Sequence, residues 1–424
     1  MFDHGAFLAP RASLRSQSGD IAAEMPESGA MTTPSQVAPV IDWIIDGARS
    51  ATQPQDIVRQ LCERLLDCGL PLLRAGVFVR TLHPVVAGRG YIWQRGVAPI
   101  QQIDAVYDDL QSDQYLRNPL YPVFNGSGEI RRRLAAIEGP DEFLVFAELR
   151  ALGVTDYIIM PLEFTTGGIH AVSWTTDRPA GFSDGELDAL RHVCPALARL
   201  VESQSLRRVA RNILNAYLGA QAGGRVLNGQ IKRGDGDEIH AVIWFSDLRD
   251  SSLIADSMSR RAFLGVLNEF FECTAGAVLA SGGEVLRFVG DAVLAIFPVR
   301  AARWSAAQAC EVAVAAARDA IARMANLNAA RAARGEHALA FGIALHLGDV
   351  LYGNIGTPER IEFSVIGAAA NEAARIEGLC KTLGRSLLVS QAVARHLDGA
   401  WRSLGAHALR GIGEPIELFT APDL

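Results

Sequence analysis

Cysteine is scarce in this 424-residue chain. The six residues, Cys62, Cys68, Cys194, Cys273, Cys310 and Cys380, are scattered and form no C-x-x-C pair. That spacing argues against a disulfide framework or a zinc site, and fits thiols used as apolar filler in a reducing compartment. Positive charge is not in excess either: 40 Lys and Arg stand against 47 Asp and Glu, for a formal net charge of -7. This excludes the broad basic footprint of a nucleic-acid binder, though not a local basic pocket for a nucleotide. Long uninterrupted apolar runs are missing as well. The stretch 301–328 is broken by Arg303, Glu311, Arg318, Asp319 and Arg323, which a bilayer core would not accept. At the N-terminus Asp3 and His4 precede only a short apolar patch, unlike a signal peptide. The expectation is a cytoplasmic protein.

What is present is ordinary globular material, 49% hydrophobic and 21% charged, in a length that suits two domains. Residues 1–36 are rich in Ser, Ala, Gly, Pro and Met without apolar periodicity and read as a flexible tail. In 37–197, Ile57, Leu61 and Leu65 recur at helical spacing after Pro54. Strand-like runs follow at 76–79, 91–93, 157–160 and 169–174. Ser183 with Glu186 makes a capping box, so a helix starts near Asp184. Helices at both ends of a run of strands predict an α+β sensor module. In order of elements, though in no motif, it resembles a GAF-type domain. His170, Trp174 and Trp93 are candidates for lining a ligand pocket, with core packing as the other use of such residues. The helical pattern continues through Leu197, Val201, Leu206, Val209, Ile213, Leu214 and Tyr217, with a kink expected at Cys194-Pro195. It suits either a helix that packs on a partner chain or one folded back on its own domain. With the glycines after it, the segment 198–238 reads as a helical and Gly-rich linker.

From 239 to 424 strand and helix patterns alternate. A buried strand at 241–245 precedes a helix face of Phe263, Leu267, Phe270, Phe271 and Val278. A hairpin then turns near Gly290-Asp291, and an Ala-rich helix covers about 302–330. Strands at 339–346 and 363–366, a helix from Ala368 to about Thr382, and a strand at 387–389 complete a ferredoxin-like βαββαβ layout with additions.

Two aspartates fall at strand ends. Asp247 ends the first strand and Asp291 sits at the hairpin turn. Such carboxylates can share two divalent ions about 4 Å apart, as phosphoryl chemistry favours, but taken singly an Asp at a strand end is more often a helix cap or a turn residue. Asn371 and Arg375, four apart on one predicted helix, project from the same face. They can hold a ribose and a charged phosphorus centre, or simply be a solvated face.

The combination decides between these readings. Four blocks in order, 244–249, 282–297, 346–356 with Gly353-Asn354-Ile355-Gly356 at its end, and 363–375, spread over about 180 residues of C-terminal chain, resemble the class III adenylyl/guanylyl cyclase catalytic domain. The resemblance implies that Asp247 and Asp291, with the backbone at Leu248, bind two Mg²⁺ or Mn²⁺ ions. The backbone after Asp247, Leu248 included, would also cradle phosphates. Asn371 would position the ribose and Arg375 would stabilise the transition state at the α-phosphate. Arg410 falls where the family often has a Lys that holds the triphosphate. Arg287 stands at the adenine-reading Lys position, with Ser364 at its usual partner position. Because guanylyl cyclases carry a Glu where Arg287 stands, ATP is the expected substrate and cyclic AMP the expected product. In the family the metal residues and the Asn/Arg pair come from different subunits, which implies a homodimer with sites at its interface and an inactive monomer.

Two positions depart from the family pattern. Arg for Lys replaces a point donor by a planar fork, which puts the strength of base selection in doubt. Ala368-Ala369-Ala370 follows Gly367 where an Asp is usual, and a packing effect is expected there. The competing readings are a guanylyl cyclase, a diguanylate cyclase, whose hairpin motif is broken by Ala292-Val293 after Asp291, and a nucleotide-binding regulatory module without turnover. The N-terminal domain is expected to sense a small molecule or a partner protein and to act through the helix that follows it.

Overall fold

The structure, a computed structural model, describes residues 34–51, 53–136, 142–300 and 303–422. The tail expected at 1–36 lies, except for its last three residues, outside the described residues; those three open a short 3-10 turn, Pro34–Val37. The chain divides into two compact units between Ile213 and Leu214.

In the N-terminal unit, α1 (Ala38–Ile45) and α2 (Pro54–Asp67) lead into β1 (Arg74–Arg80), β2 (Val86–Gln94) and β3 (Val97–Val106). Short helices α3 (Asp113–Leu116) and α4 (Leu120–Phe124) precede β4 (Ile130–Arg133). Then come α5 (Val145–Ala151), β5 (Asp156–Glu163), β6 (Ile169–Thr176) and the long α6 (Asp184–Leu218). The six strands form one antiparallel sheet in the order β3-β2-β1-β6-β5-β4.

Strand periodicity assigns the two faces of this sheet. Val77, Trp93, Met160 and Trp174 point into a core with Leu61 and Leu65 of α2 and Leu190 of α6. Phe78, Ile92, Ile159 and Ala171 point the other way, against Phe124 of α4 and Phe146 of α5. Both faces are thus covered, and Trp93 and Trp174 are core residues. The edge strands β3 and β4 had no counterpart in the sequence reading. Their compositions, VAPIQQIDAV and IRRR, lack the clean apolar alternation of a buried strand.

The Ser183–Glu186 capping box forms: Ser183 N–H donates to Glu186 Oε2 at 2.7 Å, and Glu186 N–H to Ser183 Oγ at 3.4 Å. The helix runs through Pro195 without ending. Its first half packs on its own unit, with Leu187, Leu190, Val193 and Leu197 buried. From Leu206 onward Ile213 and Tyr217 face solvent, Tyr217 being 83% exposed. Each of the two fates weighed for this helix therefore has a stretch of α6 that suits it.

The C-terminal unit begins with α7 (Ala220–Leu227), whose Ala222 is buried against the domain core, so this part of the expected linker is packed structure. Next come β7 (Gly236–Leu248), α8 (Ser251–Asp256), α9 (Arg260–Ala280), β8 (Glu284–Val289), β9 (Ala292–Pro298), α10 (Ala306–Ala333) and β10 (Phe341–Gly356). These elements give the order β10-β7-β9-β8, the 4-1-3-2 sheet of a βαββαβ layout. The additions are β11 (Ile361–Ile366) on β10, α11 (Ala368–Leu383), β12 (Leu387–Ser390) parallel to β10, α12 (Gln391–Ala394), β13 (Arg402–His407) and β14 (Ile416–Thr420).

Val242 and Trp244 on one face of β7 pack under α9 and α10, while Ala241 and Ile243 face the side that α7 and α11 cover. The small side chains Ala313, Ala316, Ala317 and Ala320 are all buried, which explains why α10 is Ala-rich: small residues let it lie close to α9. Among the described residues one helix, α9, is long and apolar enough to cross a membrane by length and composition. Phe270, Ala277 and Val278 of α9 are fully buried in the domain core, the role of a core helix. Cys62, Cys273, Cys310 and Cys380 are buried, and burial raises the pKa of each thiol.

Candidate active site

The central sheet brings the two aspartates together. Asp247 pairs with Ala292 across β7 and β9, and Asp291 is the residue before Ala292. Gly290 and Asp291 are the only residues between β8 and β9, and Gly290 takes φ +65°, which a two-residue hairpin turn requires at its first position. Burial pushes the Asp247 carboxyl up to about 6; Asp291 adds to the rise and Arg249 opposes it. A half-buried carboxylate raised by a second one beside it suits a divalent cation, whose charge would relieve it. Among the described residues no group of three or more His, Cys, Asp and Glu side chains could hold a metal. The pair fits Mg²⁺ all the same, since that ion commonly uses one or two carboxylates and takes further oxygens from substrate and water.

The backbone after Asp247 departs from expectation. Leu248 N–H donates to Asp291 O at 3.4 Å and Arg249 N–H to Ala340 O at 2.8 Å, so neither is open to a phosphate. N–H groups without an intrahelical partner begin later, in the first turn of α8.

On α11 the stripe Ala373, Ile376, Glu377 and Cys380 is buried. Asn371 and Arg375 lie on the opposite, solvent-facing side, as the helical period requires. Among the described residues no hydrogen bond or ion pair joins them to Asp247 or Asp291. The Arg375 guanidinium rests against Gly411, where a Cβ would stand 3.1 Å from its Nη1; Gly411 has φ +73° and adjoins the exposed Arg410. The fold therefore brings the Arg410 turn to Arg375.

Arg287 on β8 is bound by both nitrogens of its fork to the Glu362 carboxylate on β11. Glu362 precedes Ser364 by two residues, so both lie on one face of β11; Ser364 is 2% exposed. The two base-reading candidates thus come together in one chain, with a carboxylate that the sequence reading missed. Its signal was the two-residue spacing from Ser364. A second missed group is Glu377, 2.7 Å from Arg249. Burial pushes its carboxyl up to about 7; Arg249 lowers it, and Asp247 and Asp291 raise it. A third is His346, whose Nε2 lies 2.7 Å from Glu372, next to Asn371, and whose Nδ1 lies 2.9 Å from Ser390 Oγ. Burial lowers its pKa, against Glu372. At the position of the family's Asp, Ala368 is exposed while Ala369 is buried over β10, so the Ala run does pack there.

Residues 237–417 match the family model of the adenylate and guanylate cyclase catalytic domain. This segment is thus similar to the nucleotide cyclase catalytic domains. Curated relatives of the cyclase domain include adenylate cyclase 1 of Rhizobium meliloti, 31% identical over 181 residues (41% of this chain, 26% of that protein). Another is the adenylate cyclase of Anabaena cylindrica, 29% identical over 157 residues (37% of this chain, 30% of that protein). The chain thus spans less than a third of the length of either relative. Among solved structures, a bacterial light-regulated adenylyl cyclase is 20% identical, covering 62% of this chain and 86% of its own, with a TM-score of 0.46.

Proposed function

We propose that the cyclase domain converts ATP to 3′,5′-cyclic AMP and diphosphate as a homodimer. The observation that carries this reading is the division of the site within one chain: the Asp247/Asp291 pair on one side, Asn371 and Arg375 on the outer face of α11. Two copies arranged about a twofold axis would complete two equivalent sites. The large apolar side chains Phe288, Val289, Leu351, Ile361 and Ile366 on β8, β10 and β11 are left in solvent, which supports burial by a second copy.

In the reaction the ribose 3′-oxygen bonds to the α-phosphorus, the bond from that phosphorus to the β-phosphate oxygen breaks, diphosphate leaves, and the 3′-hydroxyl proton passes to solvent. Mg²⁺ or Mn²⁺ held by Asp247 and Asp291 with the backbone at Leu248 would neutralise phosphate charge and acidify the 3′-hydroxyl. Asn371 holds the ribose in place for attack. Arg375 stabilises charge growing on the α-phosphate, and Arg410, beside it, holds the leaving phosphates. Arg287 donates to the adenine edge, with Ser364 as its partner.

One observation favours a second reading. The Glu362 carboxylate that grips Arg287 could accept from the N–H groups at positions 1 and 2 of guanine, so guanylate cyclase is the alternative. Product analysis with purified protein, ATP or GTP and Mn²⁺, beside Asp291→Ala, tests both. Cyclic AMP abolished by the substitution supports the first reading and cyclic GMP the second. A folded dimer giving neither product would sink both and leave a non-catalytic module.

The N-terminal unit we read as a GAF-like sensor that acts through α6, in a cytoplasmic protein. The order sensor, helix, cyclase supports this. Removing 37–197 without any change in basal or regulated activity would refute it.

A further inference from the structure

The N-terminal unit contains a cavity of roughly 570 Å³ between the outer end of its sheet, the α3–α4 segment and α6. Five rings line it: Tyr107, Tyr115, Phe124, Phe164 and His170. The volume is that of a small-molecule site. Besides Arg80, Thr166, Ser205 and the paired Glu202, its wall holds two buried polar groups that are unspent. His170 Nδ1 accepts the Arg80 N–H at 3.0 Å, which places the proton of the neutral ring on Nε2. Among the described residues that Nε2–H has no hydrogen-bond acceptor. Burial, with Arg80, pushes the imidazole pKa down to about 4 against the opposing Glu202, so the ring is neutral at pH 7. The Thr81 hydroxyl is buried and has no hydrogen-bond partner. A buried hydroxyl left so in the free protein is an unfavourable state that a bound molecule can relieve.

The rim is apolar and wet. Leu82, Tyr107 and Leu206 all line the cavity and are 65%, 48% and 57% exposed. A ligand would remove this surface from water. Polar hooks on an aromatic wall select a flat, apolar molecule bearing an oxygen.

We propose that this cavity binds a small aromatic molecule that carries a carbonyl or hydroxyl oxygen, which accepts from His170 Nε2–H and meets the Thr81 hydroxyl. The inference rests on the sensor reading above and names its ligand class. Thr165, next to Phe164, gives both its N–H (3.1 Å) and its hydroxyl (2.6 Å) to the Glu202 carboxylate on α6. Arg199, one turn earlier on α6, closes the clasp at 2.6 Å from Glu202. A molecule seated against Phe164 and His170 therefore presses on the turn that α6 holds.

The test is titration of the full chain with acetylnaphthalene and with ethylnaphthalene, which lacks the carbonyl, followed by ligand-observed NMR. Saturable binding of acetylnaphthalene is expected at one site per chain. His170→Phe should weaken it about fivefold, the worth of one hydrogen bond, and bring it level with ethylnaphthalene. Thr81→Val, nearly isosteric and free of the orphan hydroxyl, should keep or raise the melting temperature while weakening binding. Ala87→Leu should fill the cavity and weaken both probes. If one variant fails to fold, the others still decide. Absence of saturable binding by either probe overturns the proposal, as does binding indifferent to all the variants that fold. Binding that leaves the cyclase rate unchanged supports the site and overturns the sensor reading instead.

Discussion

The two units are built alike, each a largely antiparallel sheet with helices on both faces, yet they keep their reactive polar groups in different places. In the C-terminal unit the interior under α9 and α10 is apolar, and the candidate site residues stand at strand ends and on the outer face of α11. Asp247, Asp291, Asn371 and Arg375 all reach solvent. In the N-terminal unit the unspent groups, His170 and Thr81, sit inside the wall of a cavity. The charged nucleotide and metal ions proposed for this unit would need a wet, open edge, because buried charge without partners is strongly unfavourable. A neutral aromatic ligand needs the reverse: apolar walls and one or two hydrogen bonds.

The largest expected effect separates the chemistry from the fold. Asp291→Ala and Arg375→Ala should each lower cyclic nucleotide formation by about two to four orders of magnitude, with both units still folded by circular dichroism. Mixing equal amounts of the two variants should restore about a quarter of wild-type activity, because half the dimers would be mixed and each would hold one intact site. Failure of that complementation, with dimers shown to exchange, would mean that each chain builds its own site.

The next effect compares the two buried tryptophans. Trp174 and Trp244 are both fully buried, and either one changed to Ala should destabilise its own unit by about 3–5 kcal/mol. Changed to Phe they should differ. Trp244 Nε1 donates to Ser246 Oγ at 3.0 Å, whereas Trp174 Nε1 has no hydrogen-bond partner. Trp244→Phe strands a buried hydroxyl and should cost about 1 kcal/mol more than Trp174→Phe, as urea midpoints would report.

His170 gives a pH signature to the N-terminal unit. Its folded pKa of about 4 lies below the ordinary 6.5. Stability from the neutral ring is therefore fully present above 6.5 and is lost as pH falls towards 4, by up to about 3 kcal/mol. Denaturation of wild type and His170→Phe at pH 7.5 and pH 4.5 measures it; equal losses in both would show that His170 is not the group responsible. The smallest expected effect is Thr81→Val, a change within about 1 kcal/mol and of stabilising sign in the free protein.

Much of the C-terminal unit was legible in the sequence. Local periodicity fixes element type, so the βαββαβ order, the hairpin at Gly290-Asp291 and the common face of Asn371 and Arg375 follow from residue spacing. The capping box at Ser183 is equally local. Four blocks in the right order then carry the resemblance to the cyclase family.

What the sequence could not carry is pairing at a distance. The strands β3 and β4 escaped because edge strands need only weak alternation. Glu362 and Glu377 escaped because they lie 75 and 128 residues in sequence from Arg287 and Arg249, and only the sheet and α11 bring them together. The Leu248 N–H looked open until the hairpin placed Asp291 O beside it. The burial of Leu187, Leu190, Val193 and Leu197 in the first half of α6 and the exposure of Leu206, Ile213 and Tyr217 in the second are marked by no change in the helix pattern. Residue type and spacing determine what a segment is; which segments become neighbours, and so which charges are paired and which remain free for chemistry, is settled by packing.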